Sequence, residues 1–168
     1  PKIDPLTGEL HGFGYMTDHF GSNTMTYHVI DKSGRTLRSD VFEAPYAGMV
    51  HDFVITRDYV LFPIFPLTCD MSRIAKFGFP FAFDSSAGAF IGVLERGAPV
   101  SEIRWLEAPV CYVYHYLNAW NDGDRVTFDS IDFPMAPNFP TADGSLPAHA
   151  DAHGKLTRWT VNVQTGAI

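Results

Sequence analysis

The sequence predicts an all-β fold of antiparallel strands. Three observations carry this expectation. Short runs rich in aromatic and β-branched residues recur along the chain, Gly, Pro, Asp and Asn cluster between them, and no stretch sustains a helical period.

Taken in order, residues 25–31 alternate and carry Tyr27, Val29 and Ile30. Asp31-Lys32-Ser33-Gly34 then supplies turn chemistry, an acidic side chain able to cap its own backbone and a permissive glycine. Residues 36–43 return as the partner strand. After Ala44-Pro45-Tyr46, a strand carrying His51 runs to Thr56, turns at Arg57-Asp58 and returns over 59–66. Residues 89–95 form the next strand, closed by Gly97-Ala98-Pro99. Strands over 102–106, 110–119 and 125–131 follow, with Asn121-Asp122-Gly123-Asp124 as the turn before the last of them. Residues 156–163 open a further hairpin. Segments 67–88 and 133–154 are too long for ordinary hairpin loops, and such loops are often functional. Strand pattern alone fits a sandwich, a barrel or a propeller.

Composition narrows the function classes. The 168 residues make one domain by length, and 46% hydrophobic against 18% charged residues marks a chain that buries a core. The net charge is −7 with no Lys/Arg cluster, so nucleic-acid backbones have no electrostatic footing here. The most apolar run, 59–67, is interrupted by Pro63 and Pro66 and is too short for a transmembrane helix. The first residues lack a basic end followed by an apolar core, so no signal peptide is read and the cytoplasm is the expected compartment. Cys69 and Cys111 have no metal-like spacing and read as reduced, partly buried thiols.

Two histidines stand out. Met49-Val50-His51-Asp52-Phe53-Val54-Ile55-Thr56 and Val113-Tyr114-His115-Tyr116-Leu117-Asn118-Ala119-Trp120 each set one histidine in an aromatic and aliphatic strand, followed by a turn and another strand. Neutral imidazole is the commonest protein metal ligand and suits iron, zinc and copper. Equivalent strands of a repeated sheet would bring both rings to one ion. Adjacent strand residues face opposite ways, so Asp52 is expected to point away from that ion as a structural acceptor.

The "HDF-I-T" stretch at His51 and the "H-LNAW" stretch at His115 resemble two iron-ligand motifs of the carotenoid cleavage oxygenases, a family that includes the lignostilbene dioxygenases. Pro1-Lys2-Ile3-Asp4-Pro5-Leu6-Thr7-Gly8-Glu9-Leu10, Gly12-Phe13-Gly14-Tyr15 and Leu156-Thr157-Arg158-Trp159 fit the same family in its order. The resemblance implies a seven-bladed β-propeller, of which residues 1–168 would be an internal part. It implies Fe(2+) held by four histidines, two of them His51 and His115, with the other two and three supporting glutamates outside this chain. It implies a dioxygenase that splits a carbon–carbon double bond with O2 into two carbonyl products. Pro66-Leu67-Thr68-Cys69-Asp70-Met71 and the "NAWN-GD" turn resemble the stilbene-cleaving members, with carotenoid or apocarotenoid cleavage as the alternative. Asn121 stands where many family members carry an acidic residue.

Around these, Phe133, Pro134, Met135, Pro137, Phe139 and Pro140 form a proline-stiffened apolar loop, and Phe133 and Phe139 are the candidates to line a substrate tunnel. His149 and His153 form a His-x-x-x-His pair in a loop-like context without the following ligand of a zinc-protease helix, and are not expected to hold metal. His11, His19 and His28 show no partner pattern. The competing reading is a metal-free propeller or sandwich that binds a partner through its loops, with His51 and His115 as ordinary core residues.

Overall fold

Alternating burial organises the chain into stacked antiparallel sheets in the computed structural model, which describes residues 1–148 and 153–168. The first sheet is a meander of β1 (Lys2–Ile3), β2 (Leu10–Tyr15), β3 (Thr24–Ile30) and β4 (Thr36–Glu43), in that spatial order. The second contains β5 (Val54–Ile55), β6 (Tyr59–Ile64), β9 (Ala89–Glu95) and β10 (Arg104–Ala108), again neighbours in chain order. Between β6 and β9 the chain makes an excursion through β7 (Leu67–Cys69), the short helix α1 (Arg73–Phe77) and β8 (Phe81–Phe83). The third sheet is β11 (Tyr112–Asp122), β12 (Arg125–Phe133) and β13 (Lys155–Asn162). Sequential meanders stacked face to face are the blades of a β-propeller.

The core lies between blades. On β3, Met25, Tyr27 and Val29 are buried while the residues between them are not, the period-2 pattern of a sheet with one covered face. They pack against Val60, Phe62 and Ile64 of β6 and Leu94 of β9. The other face of β6 and β9, through Leu61, Ile91 and Val93, packs against Tyr112, Val126, Phe128, Trp159 and Val161 of the third sheet. The second blade is thus sandwiched, which is why β6 reads as a continuous apolar run instead of an alternating one.

The predicted strands are present, with one consequential difference. The strand expected to carry His51 is only Val54–Ile55, and His51 lies in the irregular segment ahead of it. Pairing runs Ile55 to Val60 and Val54 to Leu61. Continued, that register would set Pro63 opposite Asp52, and proline brings no N–H to a ladder. The chain leaves the sheet there. Segment 47–49 instead pairs with β7, with Met49 N–H donating to Leu67 O at 2.9 Å and Cys69 N–H to Ala47 O at 2.8 Å.

The 67–88 connection and the described part of the 133–154 connection are tied down by hydrogen bonds. Arg73, buried at the start of α1, donates to Thr68 O and Thr68 Oγ1 at 2.9 Å each, closing the 67–83 excursion on itself. The segment after β12 leans on β8, with Phe83 N–H donating to Pro140 O at 2.8 Å and Ala142 N–H to Phe83 O at 3.0 Å. Among the described residues no helix is long and apolar enough to cross a membrane. Both cysteines are free thiols, and burial pushes that of Cys111 up to about 12.

Candidate metal centre

His51 and His115 meet. Their ring centroids are 4.8 Å apart and their planes nearly perpendicular, at 86°. Each precedes or belongs to the first strand of its blade, and β5 and β11 are in contact, so successive blades bring these two rings side by side. The spacing can be checked against a shared ion. With a metal–nitrogen bond near 2.0–2.1 Å, a ring centroid sits about 3.2 Å from the ion, and two ligands at right angles would have centroids about 4.5 Å apart. The observed 4.8 Å between centroids is close to that spacing, and it is also the spacing of an edge-to-face ring contact.

β11 is irregular where it carries His115. Its register against β12 slips between Val113 and Tyr116 and again between Tyr116 and Asn118. Such bulges re-aim side chains and are frequent beside active sites. His51 Nδ1–H donates to the backbone carbonyl of Tyr114 at 3.1 Å, which fixes the tautomer and leaves Nε2 with its lone pair. Asp52 is a structural acceptor, as expected, although the reason given for it does not apply, because the residue lies outside the strand. Its Oδ2 accepts from Tyr116 N–H at 3.0 Å and from Lys2 Nζ at 2.9 Å, and its Oδ1 from Phe53 N–H at 2.8 Å.

Aromatic rings wall one side of the pair. Tyr114 lies edge-on to His51 with centroids 5.2 Å apart, and it contacts Tyr112 at 4.8 Å and Phe133 at 5.9 Å. Phe133 is therefore one ring removed from the histidines. Phe139 is further along, its ring 6.0 Å from Phe79. Sequence reasoning did not single out Tyr112 and Tyr114, which share one side of β11 by period-2 spacing.

A second group of metal-ligand types, Asp4, Glu9 and His11, was not anticipated. A cation already occupies its centre. Arg96 donates to Asp4 Oδ2 at 2.6 Å, to Glu9 Oε2 at 3.0 Å and to His11 Nε2 at 3.1 Å, while His11 Nδ1–H meets Tyr27 Oη at 2.7 Å. Burial, reinforced by the Arg96 charge, lowers the His11 pKa and keeps the ring neutral. Burial alone would raise the Asp4 pKa, but the Arg96 hydrogen bond and backbone donors outweigh it and hold the carboxyl below its ordinary value. This network ties the first blade to the second. His19 pairs with exposed Asp18 at 2.8 Å, His28 sits half-buried in β3, and His149 lies outside the described residues. Asn121 bridges to the second blade, its amide donating to Asp58 Oδ2 at 2.7 Å, where an acidic residue would face a carboxylate.

Known proteins resemble this chain along its whole length. The family described as retinal pigment epithelial membrane protein (RPE65) matches residues 1–168. Isoeugenol monooxygenase of Pseudomonas nitroreducens is 36% identical over 99% of this chain and 35% of its own length. Lignostilbene-alpha,beta-dioxygenase isozyme III of Sphingomonas paucimobilis is 34% identical over 96% of this chain and 34% of its own. The chain thus spans about a third of the curated relatives it matches. The crystal structure of Pseudomonas brassicacearum lignostilbene dioxygenase superposes with a TM-score of 0.91 at 34% identity, over 99% of this chain and 35% of that one. Cobalt-substituted Synechocystis ACO, at 24% identity and a TM-score of 0.69 over 86% of this chain and 31% of its own, shares the fold. The bladed sheets, the ordered motifs and these matches together show that the chain belongs to the RPE65 family of carotenoid cleavage oxygenases, alongside its lignostilbene dioxygenases.

Proposed function

We propose that residues 1–168 are an internal section of a β-propeller nonheme iron(II) dioxygenase that cleaves the double bond of a stilbene-type substrate into two aldehydes, with His51 and His115 as two of the iron ligands. The observation that carries this reading is the perpendicular histidine pair, its ring centroids 4.8 Å apart, one from the segment ahead of β5 and one from β11 in the next blade. Iron(II) held there would supply the centre at which dioxygen is activated. The residues of this chain do the rest of what can be read from it. The Tyr114 carbonyl retains the Nδ1 proton of His51, so that Nε2 is the ligating atom. Tyr114 and Phe133, backed from the core by the buried Tyr112, offer rings beside His51 against which an aryl-substituted alkene would stack, and Phe139 stays a second candidate for the tunnel lining. Isoeugenol and lignostilbene, in the names of the relatives above, are both aryl-substituted alkenes, which supports the substrate class.

The test uses the full-length protein, loaded with iron(II) and given a hydroxystilbene under 18O-labelled dioxygen. Two aldehydes, each carrying one label, are expected. A second reading, cleavage of an apocarotenoid, is favoured by the 38% identity to carotenoid cleavage oxygenase 1 of Neurospora crassa. Cleavage of an apocarotenoid with no turnover of the stilbene would replace the first reading by the second.

A further inference from the structure

We propose that Asp52 is the positioning residue of this metal centre: its carboxylate holds the bulge of β11 in the shape that aims His115 at His51. The inference rests on the reading that the two histidines hold a metal. A bulge takes backbone groups out of the ladder, and buried groups of that kind must find partners elsewhere. Here two of them find partners on one dipeptide. His51 Nδ1–H caps the carbonyl of Tyr114, and Asp52 Oδ2 accepts the N–H of Tyr116. These bonds fall on the residues immediately before and after His115.

Both carboxylate oxygens are engaged. Oδ1 accepts from Phe53 N–H while Oδ2 accepts from both Tyr116 N–H and Lys2 Nζ. Both oxygens face donors, so an asparagine would turn its amide N–H toward one of them. Asp52 is also largely shielded, its side chain 14% exposed, whereas both histidine residues are open to solvent in this chain. It is the link through which the His51 segment and β11, from consecutive blades, keep a common spacing, while Lys2 of β1 adds only an ion pair from outside. Asp52 acts through the histidines and does not touch the metal.

The test uses the full-length protein, stripped of metal and titrated with cobalt(II), whose visible absorption reports both affinity and coordination. Partners that orient metal ligands typically contribute about 10–100-fold to affinity. Asp52→Asn is therefore expected to weaken cobalt binding by about that factor and to alter the absorption bands. Asp52→Glu keeps the charge for Lys2 but carries its oxygens one methylene away from Tyr116, and should show the same loss. It carries the test should Asp52→Asn not fold. Lys2→Met removes only the ion pair and should bind cobalt within about threefold of wild type with an unchanged spectrum. Wild-type affinity and spectrum in both Asp52 variants would overturn the proposal, as would a loss in Lys2→Met equal to theirs. A wild-type protein that takes up no cobalt overturns the metal-centre reading itself, and equal binding by wild type and both Asp52 variants overturns only the positioning role.

Discussion

His51 and His115 differ from the buried His11 in what their nitrogens are committed to. Both ring nitrogens of His11 are occupied, by Tyr27 and Arg96. Among the described residues His51 commits only Nδ1, to a carbonyl, which leaves its second nitrogen for the proposed ion. In the full-length protein, His51→Ala and His115→Ala should each lower bound iron severalfold and reduce turnover at least 100-fold, about 2.7 kcal/mol or more of barrier. His19→Ala, at an exposed pair with Asp18, should change neither. Metal analysis and aldehyde assays on the three variants check this, and equal losses in all three would contradict it. His11 supports a separate expectation. Its folded-state pKa lies below the ordinary 6.5, so the unfolded chain takes up a proton near that pH while the folded chain resists it. Stability should therefore fall as the pH drops below about 6.5, and a thermal-melt series should show a shallower fall for His11→Gln. An unaltered pH dependence would show that the network does not hold the ring neutral.

Strand register decides which of these features could be read from the chain. The alternation in β3 and the turns at 31–34 and 121–124 were legible because local chemistry dictates them. The shortness of β5 was not, although its cause lies in the sequence: Pro63 stops the pairing from a strand away, and only the observed register shows which residue it opposes. β2 was missed because Gly12 and Gly14 dilute the apolar pattern, and β1, Lys2–Ile3, is too short to show a period. The hairpin and helix within 67–88 were missed because Arg73 and the contacts to segment 47–49 hold them, not propensity. The pairing of His51 with His115 came from matched motifs, whereas the β11 bulge that completes it leaves no local signal. Close packing between paired strands also makes a testable point. Gly92 of β9 pairs with Trp105 of β10, and a β-carbon there would fall 2.6 Å from the indole. Gly92→Ala should cost about 1–3 kcal/mol as the ring is displaced, read as a lower urea midpoint. A midpoint equal to wild type would mean that Trp105 moves aside freely.

Two of the three blades in contact supply the histidine pair, but together the three leave apolar surface uncovered. Ile3, Leu6, Leu117 and Leu156 are 68%, 81%, 60% and 65% exposed. Exposed apolar residues and open sheet edges invite association between chains. Produced alone, residues 1–168 should associate in a concentration-dependent way on sedimentation and show no cleavage activity. A monomeric, active preparation would contradict the proposal that further blades complete the site. The arrangement of blades makes one claim above the others, that two of them place adjacent ligands on one metal ion. The most direct measurement is an anomalous difference map, recorded at the iron edge from crystals of the full-length, iron-loaded protein. A single peak about 2.0–2.1 Å from a ring nitrogen of both His51 and His115 is the expected result. A peak bound by neither histidine, or one lodged instead among Asp4, Glu9 and His11, would contradict it.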